Sequence, residues 1–206
     1  MKMMIKYASL AIGLALMPGC SALSALSGAG ASLDAYTLSP VAATVTQANG
    51  RGHLVVELPT AAGALATDRI LIKPFPFQAQ YLPDGRWTEP APALVQTLLV
   101  ASFQNLGGFR LVGRSGAGLM PDYTLMTELQ DFQVEPTGSK PTPLIVRINA
   151  NMTLIRESDR RIIASRRFSA TAEVATDATP DLITGFDRAF QRMLQDVVEW
   201  TVSSAG

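Results

Sequence analysis

One cysteine and one histidine stand in this 206-residue chain, and they bound the chemistry open to it. Cys20, alone, can build neither an intrachain disulfide nor a zinc cluster. Its thiol can instead be thioether-linked to diacylglycerol. His53 is the one imidazole available to a Ser/His/Asp arrangement, yet it lies between Gly52 and Leu54-Val55-Val56 with no neighbouring nucleophile, the setting of a strand-edge histidine. Gly113-Arg114-Ser115-Gly116-Ala117 departs from a nucleophile elbow at its last position and reads as a loop. Gly116-Ala117-Gly118 lacks the third glycine of a dinucleotide fingerprint, and no Gly-Lys-Ser or Gly-Lys-Thr cradles a phosphate, so any ATP use belongs to a partner. Glu57 with Asp68, or Glu128 with Asp131, are carboxylate pairs, but nothing in their spacing sets their pKa values apart for acid/base work. The expectation is a non-enzymatic chain without metal or cofactor other than a covalent lipid.

The residues around Cys20 support that lipid. Lys2 and Lys6 form a positive start, Leu10 to Leu16 an apolar core, and Met17-Pro18-Gly19 places a small residue directly before the cysteine. The apolar stretch from Tyr7 to Pro18 is shorter than the roughly 20 residues needed to cross about 30 Å of hydrocarbon, so a permanent span is the weaker reading. A plain secretory signal with an incidental cysteine is the other alternative. Residues 1–19 are thus read as a lipoprotein signal peptide and 20–34 as the lipidated cysteine and a flexible tether rich in Ser, Ala and Gly. Several acyl chains, at about 0.8 kcal/mol per buried methylene, hold a protein at a bilayer where one chain is marginal. Ser21 stands where an Asp retains bacterial lipoproteins in the inner membrane, which favours the outer membrane and its periplasmic face.

Charge excludes one partner class. Taking Lys2 and Lys6 from the 17 basic residues leaves 15 against 17 acidic, a balance with no electrostatic footprint for nucleic acid. Arg160-Arg161 and Arg166-Arg167 flank a strand and read as its solvated face.

Residues 35–206 suit a single domain with one core. Ala35 to Leu38, His53 to Leu58 and Arg69 to Lys73 read as strands, and Phe75 to Tyr81 as extended, with Pro74 and Pro76 at an edge or bulge. Thr88 is placed to cap a helix with Pro90 and Pro92 in its first turn, which Leu94, Val95, Leu98, Leu99, Phe103 and Leu106 mark and Gly107-Gly108 ends. Tyr123 to Val134 reads as a strand whose apolar phase changes near Gln130-Asp131, the mark of a bulge. Val146 to Leu154 and Ile162 to Val174 alternate around a turn at Ser158-Asp159 as a long antiparallel hairpin. Pro180 opens a last amphipathic helix. The fold class expected is α/β (α+β): strands, helix, strands, helix, as an antiparallel sheet with two main helices packed on one face.

Tyr36-Thr37-Leu38, Asp68-Arg69-Ile70 and Arg86-Trp87-Thr88-Glu89-Pro90, in this order and spacing, resemble the ABC-type transport auxiliary lipoprotein family, over roughly Asp34 to the end of the last helix. The resemblance implies an outer-membrane-anchored periplasmic subunit that docks on a mammalian-cell-entry (MCE) type protein and its ABC transporter and supports lipid transfer between membranes. The alternatives are a periplasmic lipid-binding carrier and a structural or assembly lipoprotein of another envelope complex. Candidate partner-interface residues are Trp87, Arg86, Tyr81, Phe77, Asp68 and Arg69. Trp87 is either an interface anchor or a staple packing the helix start onto the sheet. Phe75, Phe77 and Tyr81 lie beside an edge that could pair with another chain, including a second copy.

Overall fold

The computed structural model describes residues 32–43, 50–116, 118, 120–138 and 143–206. Cys20, the signal region and most of the tether lie outside the described residues. The elements are β1 (Asp34–Tyr36), β2 (His53–Val56), β3 (Thr60–Ala61), β4 (Arg69–Phe75), β5 (Gln78–Trp87), α1 (Ala91–Leu106), β6 (Leu111–Arg114), β7 (Tyr123–Pro136), β8 (Leu144–Arg156), β9 (Arg161–Val174) and α2 (Thr179–Ala205).

The long strand β7 organises the sheet. One of its edges pairs antiparallel with β8 along its whole length, and β8 pairs with β9. Its other edge takes three parallel partners in a row: β2 at Tyr123 to Leu125, β3 at Glu128 and Leu129, and β4 at Gln133 and Val134. β6 extends the sheet beyond β2, and β5 then β1 extend it beyond β4. The α+β class is as expected, with two main helices on one face, but the sheet is mixed instead of antiparallel. Short strands returning through α1 or a crossover loop must run parallel to the strand they join.

The bulge anticipated near Gln130-Asp131 is present as a register shift between Leu129 and Asp131. It lets Leu125 and Leu129 before it, and Phe132 and Val134 after it, all face the helices. A second shift, between Leu154 and Ile155, inserts Ile163 into β9. Ile162, expected on the inner face, is therefore turned outward and left exposed.

Two further expectations are corrected. Phe75 to Tyr81 is not one extended run: Pro76-Phe77 turns the chain, and β4 and β5 form an antiparallel hairpin with an irregularity between Ile72 and Phe75. Pro74 falls inside that irregularity, where its missing N–H leaves no broken ladder bond. Nor does Thr88 cap α1. Its N–H donates to the Tyr36 carbonyl, closing the β1–β5 ladder, and Pro90 takes the cap position before Ala91-Pro92.

The core lies between the sheet and the helices. Trp87, Phe132, Phe186 and Phe190 form its aromatic centre, with Trp87 and Phe186 edge-on at 5.1 Å and Phe132 and Phe186 at 5.0 Å. Burying each such ring contributes about 1.5–3 kcal/mol. Gly185 brings α2 close to the sheet: a Cβ there would lie 2.6 Å from Val174 Cγ2. The segment after β1 straps α1, with Ser102 Oγ accepting from the Val41 N–H and Asn105 Nδ2 donating to the Val41 carbonyl.

Candidate functional site

All six candidate interface residues fall on the β4–β5 hairpin or the residue that leads it. The two ends of the hairpin differ in character. At its base Arg69 pairs in register with Arg86. Asp68 accepts from Arg86 Nη1 at 3.3 Å, while its carbonyl takes the Trp87 N–H at 2.7 Å. Arg69 donates from Nη2 to the Leu82 carbonyl at 3.1 Å and holds its guanidinium 5.7 Å from the Tyr81 ring centre. The Tyr81 hydroxyl donates to the Ala64 carbonyl. These groups fasten the hairpin to itself and to the turn that follows β3. An exposed ion pair such as Asp68–Arg86 contributes about 1 kcal/mol or less.

Trp87 is fully buried. Its ring is 5.4 Å from Phe132 and reaches no surface, so the interface-anchor reading is set aside in favour of packing. It packs as the last residue of β5, two residues before the staple position that the Pro90 cap defines. Phe77 is the opposite case: it is 104% exposed at the hairpin tip, with Phe75 beside it at 61%. Sequence reasoning placed both beside an edge but missed the turn that projects them.

The potentially reactive groups are dispersed. His53 starts β2, with Nδ1 3.4 Å from the Met120 carbonyl and its backbone N–H donating to Asp122 Oδ2 at 2.7 Å. Ser115 follows β6, whose pairing sets Leu111 beside His53 and Arg114 beside Val56. The two side chains thus lie at opposite ends of a strand pair, about 10–13 Å apart along it, and form no dyad. Glu128 and Asp131 accept from Asn151 Nδ2 at 3.3 Å and Asn149 Nδ2 at 2.6 Å, so both serve cross-strand hydrogen bonds. No cluster of three or more metal-ligating residues occurs among the described residues.

Several concavities occur among the described residues, one of about 980 Å³ beside Phe75 and Pro76. An apolar one of about 360 Å³ opens between the hairpin and the start of α2, lined by Ile72, Leu82, Val134, Leu144 and Leu182. A second, of about 310 Å³, lies on the helix-free face among the exposed apolar residues Leu58, Met126 and Ile162. Neither was foreseen. Of these two, the first is assembled from five separate elements, and the second depends on the outward turn of Ile162.

Residues 36–198 match the family described as ABC-type transport auxiliary lipoprotein component, which is most of the chain and nearly all of the folded domain. The chain belongs to this family. An uncharacterized protein of Bradyrhizobium diazoefficiens is 26% identical over 165 residues, covering 80% of this auxiliary lipoprotein; the match spans only 42% of that relative. A crystal structure of a Xanthomonas campestris protein superposes with a TM-score of 0.74 at 24% identity, covering 84% of this chain and 96% of that one. A second, of an uncharacterized protein, gives 0.63 at 16% identity, covering 82% and 98%. Both structures share the fold. The family is an envelope lipoprotein family serving ABC-type transport, and no helix among the described residues of this member is long and apolar enough to cross a membrane.

Proposed function

We propose that this auxiliary lipoprotein is the non-catalytic periplasmic subunit of an MCE-type ABC lipid transport system. In this reading it is held at the outer membrane through acylated Cys20 and docks on the MCE component that spans the periplasm. The observation that carries the reading is the extent of the family match, residues 36–198, which takes in all of α1, most of α2 and every strand from β2 to β9. Supporting it, three of the four candidate acids, Asp68, Glu128 and Asp131, accept hydrogen bonds from residues of neighbouring strands.

Affinity capture of the full-length, acylated chain from its host's solubilised membranes tests the proposal. The MCE protein should be recovered with it. A folded, acylated chain that never captures an MCE protein at native expression overturns the docking role.

The apolar cavity beside Leu82 and Leu182 supports a second reading, in which the domain carries lipid itself. Its volume of about 360 Å³ falls within the range of small-molecule sites, and its aliphatic walls of Ile72, Leu82, Val134, Leu144 and Leu182 are rimmed by Lys73, Asp84, Glu135 and Asp177. Native mass spectrometry of the purified chain decides: a retained lipid mass supports a carrier, and an unloaded protein from lipid-replete cells removes that reading.

A further inference from the structure

We propose that the β4–β5 hairpin tip is a second membrane contact, inserted into the same bilayer that holds the N-terminal anchor. The inference rests on the reading of Cys20 as acylated.

Direction of chain carries the first step. β1 runs parallel to β5, with Asp34 beside Gly85 and Tyr36 beside Trp87. The chain upstream of Asp34 therefore leaves toward the start of β5, which is the tip, where Gln78 pairs with Phe75. Distance carries the second. From Gly85 to Gln78 is seven residues of strand, or about 23 Å. Between Cys20 and Asp34 lie about fourteen residues, a length of chain whose greatest possible span is about 50 Å. That reach exceeds the distance to the tip, so an anchor at Cys20 and the tip can meet one plane.

The tip has the chemistry for that plane. Phe77 is wholly exposed, Phe75 more than half so, and the turn between them carries Pro76, which has no N–H to strand in a poorly hydrated interface. Aromatic rings on a short projection partition into the headgroup and acyl boundary. Charge is not the driving force, since Lys73 and Arg147 are matched by Asp131 and Glu135 in the concavity beside Phe75 and Pro76. The contact should therefore form on zwitterionic lipid and resist salt, unlike a polybasic one.

Tryptophan placement tests this in the full-length acylated protein, reconstituted in phosphatidylcholine vesicles with bromine on the acyl chains. Phe77→Trp reports the tip. Met120→Trp reports an equally exposed position before β7, at the end of that strand away from β4. Bromine should quench the added emission of Phe77→Trp several-fold more than that of Met120→Trp, and raised salt should leave the difference intact. Equal quenching in acylated protein overturns the hairpin contact alone, as does a tip that is shielded only when a protein partner is added. Mass spectrometry of the same samples reads acylation, and a chain without lipid on Cys20 overturns the anchoring and the contact together.

Discussion

Arg192 Nη2 on α2 donates to the Thr171 carbonyl of β9 at 2.6 Å, and one turn earlier Arg188 Nη2 donates to the Glu173 carbonyl at 2.8 Å. Among the described residues β9 pairs only with β8, so these carbonyls lie on an edge of the sheet. Unpaired edges template association with other strands, and two guanidinium groups reaching round from the helix cover one half of this one. Replacing both arginines by Ala should shift the chain toward higher mass at a concentration where the unsubstituted protein is unchanged. Sedimentation velocity checks it; an unaltered distribution means the edge is protected by other means.

Trp87 fills the centre of the aromatic core, so Trp87→Ala should cost about 3–5 kcal/mol of stability through the cavity it leaves. Trp87→Phe should cost much less. Its indole N–H is buried without a hydrogen-bond partner, and the smaller ring removes that unpaired donor. Urea unfolding of the two variants measures the contrast, and equal losses would place the cost elsewhere than in the cavity.

Gly185→Ala sets a helix-propensity gain of about 1 kcal/mol against a Cβ 2.6 Å from Val174 Cγ2 and 3.2 Å from Val146 Cγ2. Overpacking of this kind costs about 1–3 kcal/mol, so the variant should be less stable. Adding Val174→Ala should recover part of the loss, a coupling that a double-mutant cycle in denaturant reads directly.

The turn between β8 and β9 carries a titration that can be followed. Arg156 donates from Nε to Asp159 Oδ1 at 3.1 Å and from Nη2 to Oδ2 at 2.8 Å. That hydrogen bond holds the Asp159 carboxyl below its ordinary value of 3.8. A lowered carboxylate stabilises the fold above its unfolded-state value, and the contribution is lost as the pH falls through the folded one. In Arg156→Ala the carboxyl carbon resonance of Asp159 should titrate at higher pH than in the unsubstituted chain, approaching 3.8. An unmoved midpoint would mean that the pair is not formed in solution.

Cys20→Ala should abolish incorporation of labelled palmitate and release the protein from the membrane fraction. A variant that fractionates like the unsubstituted chain would remove the anchor from the account, because the same fold would be held by something else.

Periodicity made parts of this structure legible and left others hidden. β8 and α2 could be read because one face of each is buried along most of its length, and β9 because its second half alternates, so apolar residues recur every second or every third to fourth position. The bulge in β7 showed as a change of phase between Leu129 and Phe132. Three features left no local trace. The pairing of β7 with β2, β3 and β4 is set by contacts distant in sequence. Pro76-Phe77 turns without glycine or asparagine. The insertion of Ile163 became visible only through the partner strand. Of the candidate residues, Phe77 was placed beside an edge by its type and by Pro74 and Pro76, while the turn that exposes it was not read. Trp87 was misplaced because an aromatic residue beside a helix start looks alike whether it belongs to the helix or ends a strand.

The position of β7 has a consequence for how the polypeptide is made. β2, β3 and β4 share a single later partner, and about 70 residues separate Leu54 from Tyr123. Closing such loops costs entropy before any ladder repays it, which slows folding. During synthesis the edges of β2, β3 and β4 that face β7 must therefore wait for the strand that will gather them, even where β4 has already paired with β5. Such a delay keeps a nascent chain threadable, which suits one whose leader is read as a ticket through a narrow translocation channel.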